Sequence, residues 1–148
     1  MTRTQYKAKT AARLLLGVVF TVFGLNGFFH FLPAPPPSGL AAVLIGGLAS
    51  SGYMFPLIKG TEVVVGLLLL SNRFVPLALT ILAPVVVNIL AFHLFLAPAG
   101  LALPLIVTAL GIYLATTERA IFAPLLRAKS AEAVPVSVRP VSEAAAHA

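Results

Sequence analysis

Six side chains capable of hydrogen-bonding, proton exchange or ligation stand inside apolar stretches of this chain: Asn26, His30, Lys59, Glu62, Asn88 and His93. Lys59 and Glu62 interrupt GYMFPLIKGTEVVVGLLLLSNRF, residues 52–74, a run that is otherwise lipid-soluble. A charged group at bilayer depth costs a few kcal/mol, so it faces a protein interior and marks a candidate site. Spacing groups the six. Asn26 and His30 are an i, i+4 pair and Lys59 and Glu62 are i, i+3 neighbours, so each pair shares a helix face. His93 follows Asn88 by five residues, which turns the two about 140° apart on a regular helix, too far to aim at one point.

These residue types suit a small polar head group. Asn26, Asn88 or a histidine would hydrogen-bond the carbonyl oxygens of a ligand, and Glu62 beside Lys59 would exchange a proton. His30, His93 and Glu62 would be acceptable metal ligands if they converged, but two histidines alone do not make a metal site and none is expected. Each group also has a purely structural reading. Lys59 and Glu62 can pair to fix helix register, the asparagines can join helices by hydrogen bonds, and the histidines can sit at the membrane interface. No residue is assigned a catalytic role. With no cysteine in the chain, dithiol chemistry and thiolate ligation are excluded. No haem, flavin or iron–sulfur motif is present, so the chain itself carries no cofactor.

The elements that must position these groups follow from hydropathy. Hydrophobic residues make up 59% of the 148 and charged residues 9%, with a mean hydropathy of +1.03, the composition of an integral membrane protein. The net charge of +6 comes from basic residues beside apolar runs, where they set topology, and nucleic-acid binding is excluded.

Residues 1–13 form a basic N-terminus with Arg3, Lys7, Lys9 and Arg13. The apolar run 14–32 is a first span, too long for the apolar region of a cleaved signal peptide. PAPPPSG at 33–39 cannot be helix and makes a stiff turn. The apolar segment 39–51 rises only about 20 Å against a hydrocarbon core of about 30 Å, so it is a half-depth or interfacial helix. Its Ala42, Gly46 and Ser50 form a small-residue ridge expected to pack on a neighbouring helix. Further spans are placed at 53–70, 74–96 and 100–116, joined by SNR and APAG turns, as in an up-down bundle. The membrane domain thus covers 14–117, followed by a basic amphipathic stretch at 118–129 and a disordered tail at 130–148. The fold class is all-α, a membrane four-helix bundle with one extra short helix. Four spans bring every basic segment to one side, the cytoplasm, with both termini there. Counting from the opposite ends, Asn26, Lys59, Glu62 and Asn88 fall at about 9–13 Å depth, a buried polar layer in the outer half, with His30 and His93 nearer the rim.

GLNGFFHFLP, PLIKGTEVVVGLLLLSNRFVPLAL and APVVVNILAFHLFL, in that order, resemble the DoxX family of small four-span membrane proteins over residues from about 12 to 117. The resemblance implies a four-helix bundle in a prokaryotic-type plasma membrane, associated with quinone-linked sulfur oxidation and membrane oxidoreductase assemblies. The expectation is a membrane subunit of an oxidoreductase or quinone-linked system, with a quinone in its outer-half pocket. The alternative is a non-catalytic accessory or assembly factor whose polar layer is structural. Expected partners are the lipid bilayer and either a partner oxidoreductase subunit or a second copy of the chain. A small-solute transporter is disfavoured by the lack of an inverted repeat.

Overall fold

The computed structural model describes residues 2–33 and 35–123. The expected amphipathic stretch is therefore described only as far as residue 123, and the tail at 130–148 lies outside the described residues. The described residues are mostly helical, with no strand among them.

Helix α1 runs over Arg3–Phe29, starting within the basic segment rather than at Leu14. Its start is fixed by a capping box: Gln5 N–H donates to Thr2 Oγ1 (3.2 Å) and Thr2 N–H to Gln5 Oε1 (2.8 Å). It ends before Leu32, because His30 takes a left-handed conformation (φ 50°) and the Asn26 side chain accepts from Leu32 N–H at 2.6 Å. After the proline-rich connection comes α2, Gly39–Ser50, which meets α3, Met54–Leu70, at 90° across a short break. Helix α4 spans Val75–Phe95 and stays helical through Pro84. A 3-10 turn at Pro98–Gly100 leads to α5, Ala102–Thr117, and the short α6, Arg119–Phe122, follows.

Helices α1, α3, α4 and α5 form a closed ring of neighbours in the order α1–α3–α4–α5, and α2 lies outside it. The tightest seam joins α1 and α3 antiparallel, with Gly24 opposite Val63 and Gly66 opposite Thr21. A methyl group on Gly24 would come within 2.8 Å of Val63 Cγ2, and one on Gly66 would lie 2.6 Å from the Thr21 backbone nitrogen. Only glycine permits this approach, the usual device by which helices associate where apolar surroundings give no hydrophobic drive. The ridge expected on α2 does not act this way. Gly46 has nothing within 4 Å, and α2 instead turns Ala41, Leu44, Ile45 and Leu48 toward the other helices. Spacing identified a face of α2 but not the direction in which it points.

At the basic end, Arg13 is buried and donates from Nη1 to the carbonyl oxygens of Leu69 and of Leu70, the latter at 3.1 Å. These belong to the last turn of α3, whose carbonyls have no partner within the helix and favour a cation. Lys9 pairs with Glu118 at the end of α5 (2.5 Å). Arg13→Met is expected to lower the unfolding free energy by about 1.5–3 kcal/mol, the worth of hydrogen bonds to a charged donor. Denaturant titration in mild detergent measures it.

The packed core also sits toward this end. Leu16, Phe20, Val65, Leu69, Ala78, Leu82 and Leu114 are buried, and every buried residue of α4 lies between Val75 and Leu82. Outward faces are apolar: Leu15, Val64, Leu67, Val87, Ile106 and Ile112 are all more than half exposed. Buried Arg13 and Glu62 beside exposed apolar helix faces are the reverse of what a water-soluble bundle shows. Two helices, α1 and α4, are long and apolar enough to cross a membrane, or three spans result if the bent α2–α3 pair counts as one, so a membrane location is possible.

Candidate functional site

Beyond the core the helices line a cavity of about 310 Å³ that is open on one side. Phe20 and Phe23 of α1, Leu44, Ile45 and Leu48 of α2, and Ile58 of α3 form one side of its wall. Ile89 and Phe92 of α4 and Leu103, Pro104 and Val107 of α5 form the other. Its polar groups are Lys59, Glu62, Asn88 and His93. An apolar wall with a few convergent polar groups is the usual make-up of a small-molecule site, and a dry cavity of about 150 Å³ already holds benzene. This one has room for a substituted ring.

Lys59 and Glu62 face the cavity from the first turns of α3. The Lys59 ammonium donates to Glu62 Oε1 (3.1 Å) and Oε2 (2.9 Å). Their exposures differ: the Glu62 side chain is 3% accessible and that of Lys59 22%. The ammonium also lies 5.9 Å from the centroid of the Phe55 ring, within reach of a cation–π contact. The Lys59 stem lies across Gly27 of α1, and a methyl group there would collide with its Cγ and Cδ.

His93 lies in the last turn of α4, with its Nδ1 2.9 Å from the Ile89 carbonyl oxygen one turn back. A carbonyl can only accept, so Nδ1 carries the hydrogen. The ring packs edge-on to Phe92, with centroids 5.2 Å apart and planes at 79°. Gly100 leaves it room, since a methyl group there would lie 2.8 Å from His93 Cδ2. Asn88 and His93 line the same cavity despite their five-residue spacing. Two facts reconcile this: the cavity wall is broad, and the histidine ring folds back toward the helix N-terminus, as helical side chains do, which carries it toward the turn of Asn88.

The expected layer of four buried polar groups is not formed as such. Of the four, only Glu62 is fully buried; Asn26 and Lys59 are half-buried and Asn88 is exposed. Asn26 and His30 do not line the cavity, because both are engaged at the end of α1, one as a side-chain cap and the other as an exposed left-handed residue. His30 therefore does not converge with His93 and Glu62, and among the described residues no group of three or more histidine, cysteine or acidic side chains is placed to hold a metal.

Gly27 and Gly100, which seat Lys59 and His93, escaped the sequence analysis. Nothing in their spacing marks them, because each matters through a residue distant in sequence or beyond a turn. Arg13 was legible in principle. It falls on the stripe Arg13, Leu16, Gly17, Phe20, Gly24, the buried face of α1, which a topology-setting charge has no reason to occupy. Comparison with protein-family models, with curated proteins and with solved structures finds no match to this chain.

Proposed function

We propose that the chain is a DoxX-like four-span protein of the bacterial plasma membrane, the membrane subunit of an oxidoreductase or quinone-linked system, which holds a quinone-type ring in the cavity of its outer half. The observation that carries this is the cavity itself, apolar on most of its wall and furnished with Lys59, Glu62, Asn88 and His93. Four spans are supported by the ring of α1, α3, α4 and α5. Helices of 17 and 16 residues, α3 and α5, rise about 26 and 24 Å, a shortfall that local thinning of the bilayer accommodates at modest cost. Cytoplasmic termini are supported by the basic residues gathered at the end opposite the cavity. A partner subunit would exchange electrons with the bound ring.

Native mass spectrometry of the gently solubilised protein, with extraction of bound lipid-soluble molecules, tests this on wild type and Glu62→Gln. The variant keeps its fold, since a lone Lys59 ammonium still reaches the open side of the cavity. A small molecule retained by wild type and lost in Glu62→Gln supports the reading. Ligand-free spectra from two equally stable proteins refute it.

A second reading has one observation in its favour. Both oxygens of Glu62 are taken up by Lys59, as in an ion pair that serves only to fix helix register. The chain would then be an accessory or assembly factor, recognised by a stoichiometric partner that co-purifies without a retained ligand.

A further inference from the structure

Resting on the cavity as a ligand site, we propose that it selects the reduced, hydroxyl-bearing form of its ring ligand, a quinol, whose O–H is donated to Nε2 of His93. The inference comes from counting which polar atoms of the wall are still free. Both oxygens of Glu62 accept from Lys59, and Nδ1 of His93 donates to Ile89. That leaves Nε2 of His93, the third hydrogen of the Lys59 ammonium and the amide of Asn88, which joins neither bond and is open to the cavity.

The Ile89 contact decides what Nε2 can do. It holds the ring hydrogen on Nδ1, and a neutral imidazole then presents Nε2 as a bare acceptor. Ring orientation is set as well, by the edge-on Phe92 and by the space at Gly100. A quinone oxygen brings no hydrogen to this nitrogen, whereas a phenolic hydroxyl does. The amide of Asn88 donates and accepts, so it serves either oxidation state and does not discriminate. Lys59 offers a donor to a second ligand oxygen, again in either state. The preference therefore falls on His93 alone. A site built around a hydrogen bond disfavours the analogue that cannot make it, because a polar group is left unpaired in apolar surroundings.

The test uses wild type, His93→Phe and His93→Gln in lipid nanodiscs at pH 8 under argon. Three probes are titrated and their retention read by native mass spectrometry: 2-decyl-1,4-hydroquinone, 2-decyl-1,4-benzoquinone and the dimethyl ether of the hydroquinone. Wild type is expected to bind the hydroquinone about tenfold more tightly than the other two. His93→Phe keeps an aromatic ring in place and is expected to bind all three alike, and His93→Gln, which restores an acceptor, to regain part of the preference. Equal binding of the three probes by wild type, tighter binding of the quinone, or a preference that survives in His93→Phe overturns quinol selection while leaving a ligand site standing. Retention of none of the probes by wild type overturns both. The wild-type comparison decides the matter even where a variant does not fold.

Discussion

Lys59→Met is expected to lower the unfolding free energy by about 3–5 kcal/mol, the cost of leaving one partner of a buried ion pair uncompensated. Glu62 is the side chain that suffers. It is 3% accessible against 22% for Lys59, and both its oxygens are satisfied by the one ammonium. Removing the lysine strands a carboxylate that is almost inaccessible. Removing the acid instead strands an ammonium at the tip of a long flexible stem, which extends toward the open cavity. The two single variants should therefore differ widely, with Glu62→Gln the milder. Adding Glu62→Gln to Lys59→Met should restore most of the loss, since it replaces the stranded charge by a neutral amide of the same shape. A double-mutant cycle in mild detergent reads the coupling directly. Equal costs for the two single variants, or no recovery in the double, would show that the pair is not held in this asymmetric setting.

Gly66→Val is expected to be as damaging, at or above the roughly 3 kcal/mol upper end for overpacked cores. A side chain at this position would meet not only the Thr21 hydroxyl but also the Thr21 backbone nitrogen at 2.6 Å and the Gly17 carbonyl oxygen at 2.9 Å. Backbone cannot swing aside, so α1 and α3 would have to separate, with loss of the Arg13 contacts at one end and of the Lys59 seat on Gly27 at the other. Thr21→Ala should accordingly fail to rescue the variant. Gly46→Val provides the control: nothing lies within 4 Å of that position, and expression and melting temperature should stay near wild type. A Gly66→Val protein as stable as Gly46→Val would refute the seam.

Particular residues mark how far the sequence was legible. Helix positions followed from hydropathy. The short helix expected at 39–51 is present as Gly39–Ser50, and the SNR and APAG turns separate the helices that flank them. Helix ends were less legible. FFHFL continues the apolar run past Phe29, and hydropathy does not record that His30 adopts φ 50° and stops the helix. The start of α1 was written in Thr2 and Gln5, a capping signal outweighed by the polarity of its neighbours. In the site, the Lys59–Glu62 contact was legible because it is local, an i, i+3 pair on one helix. Membership of the cavity was not. Asn26 is level with Lys59, which lies across the neighbouring Gly27, but spends its oxygen on the chain end beside it, and His93 joins Asn88 by folding its ring back, which 100° steps around a helix do not capture. Most of the wall is assembled from distant segments, and no local spacing encodes it.

The division of α4 has a consequence for how the molecule breathes. Up to Leu82 the helix is clamped among buried side chains, whereas beyond Pro84 none of its residues is fully buried and several face the cavity. Outward excursions of this second half sacrifice little buried contact, so they belong to the low-energy openings of the fold. The volume of the cavity can therefore swell or shrink while the α1–α3 seam stays shut. Capacity for a guest is set at the compliant end, and integrity of the fold at the clamped one.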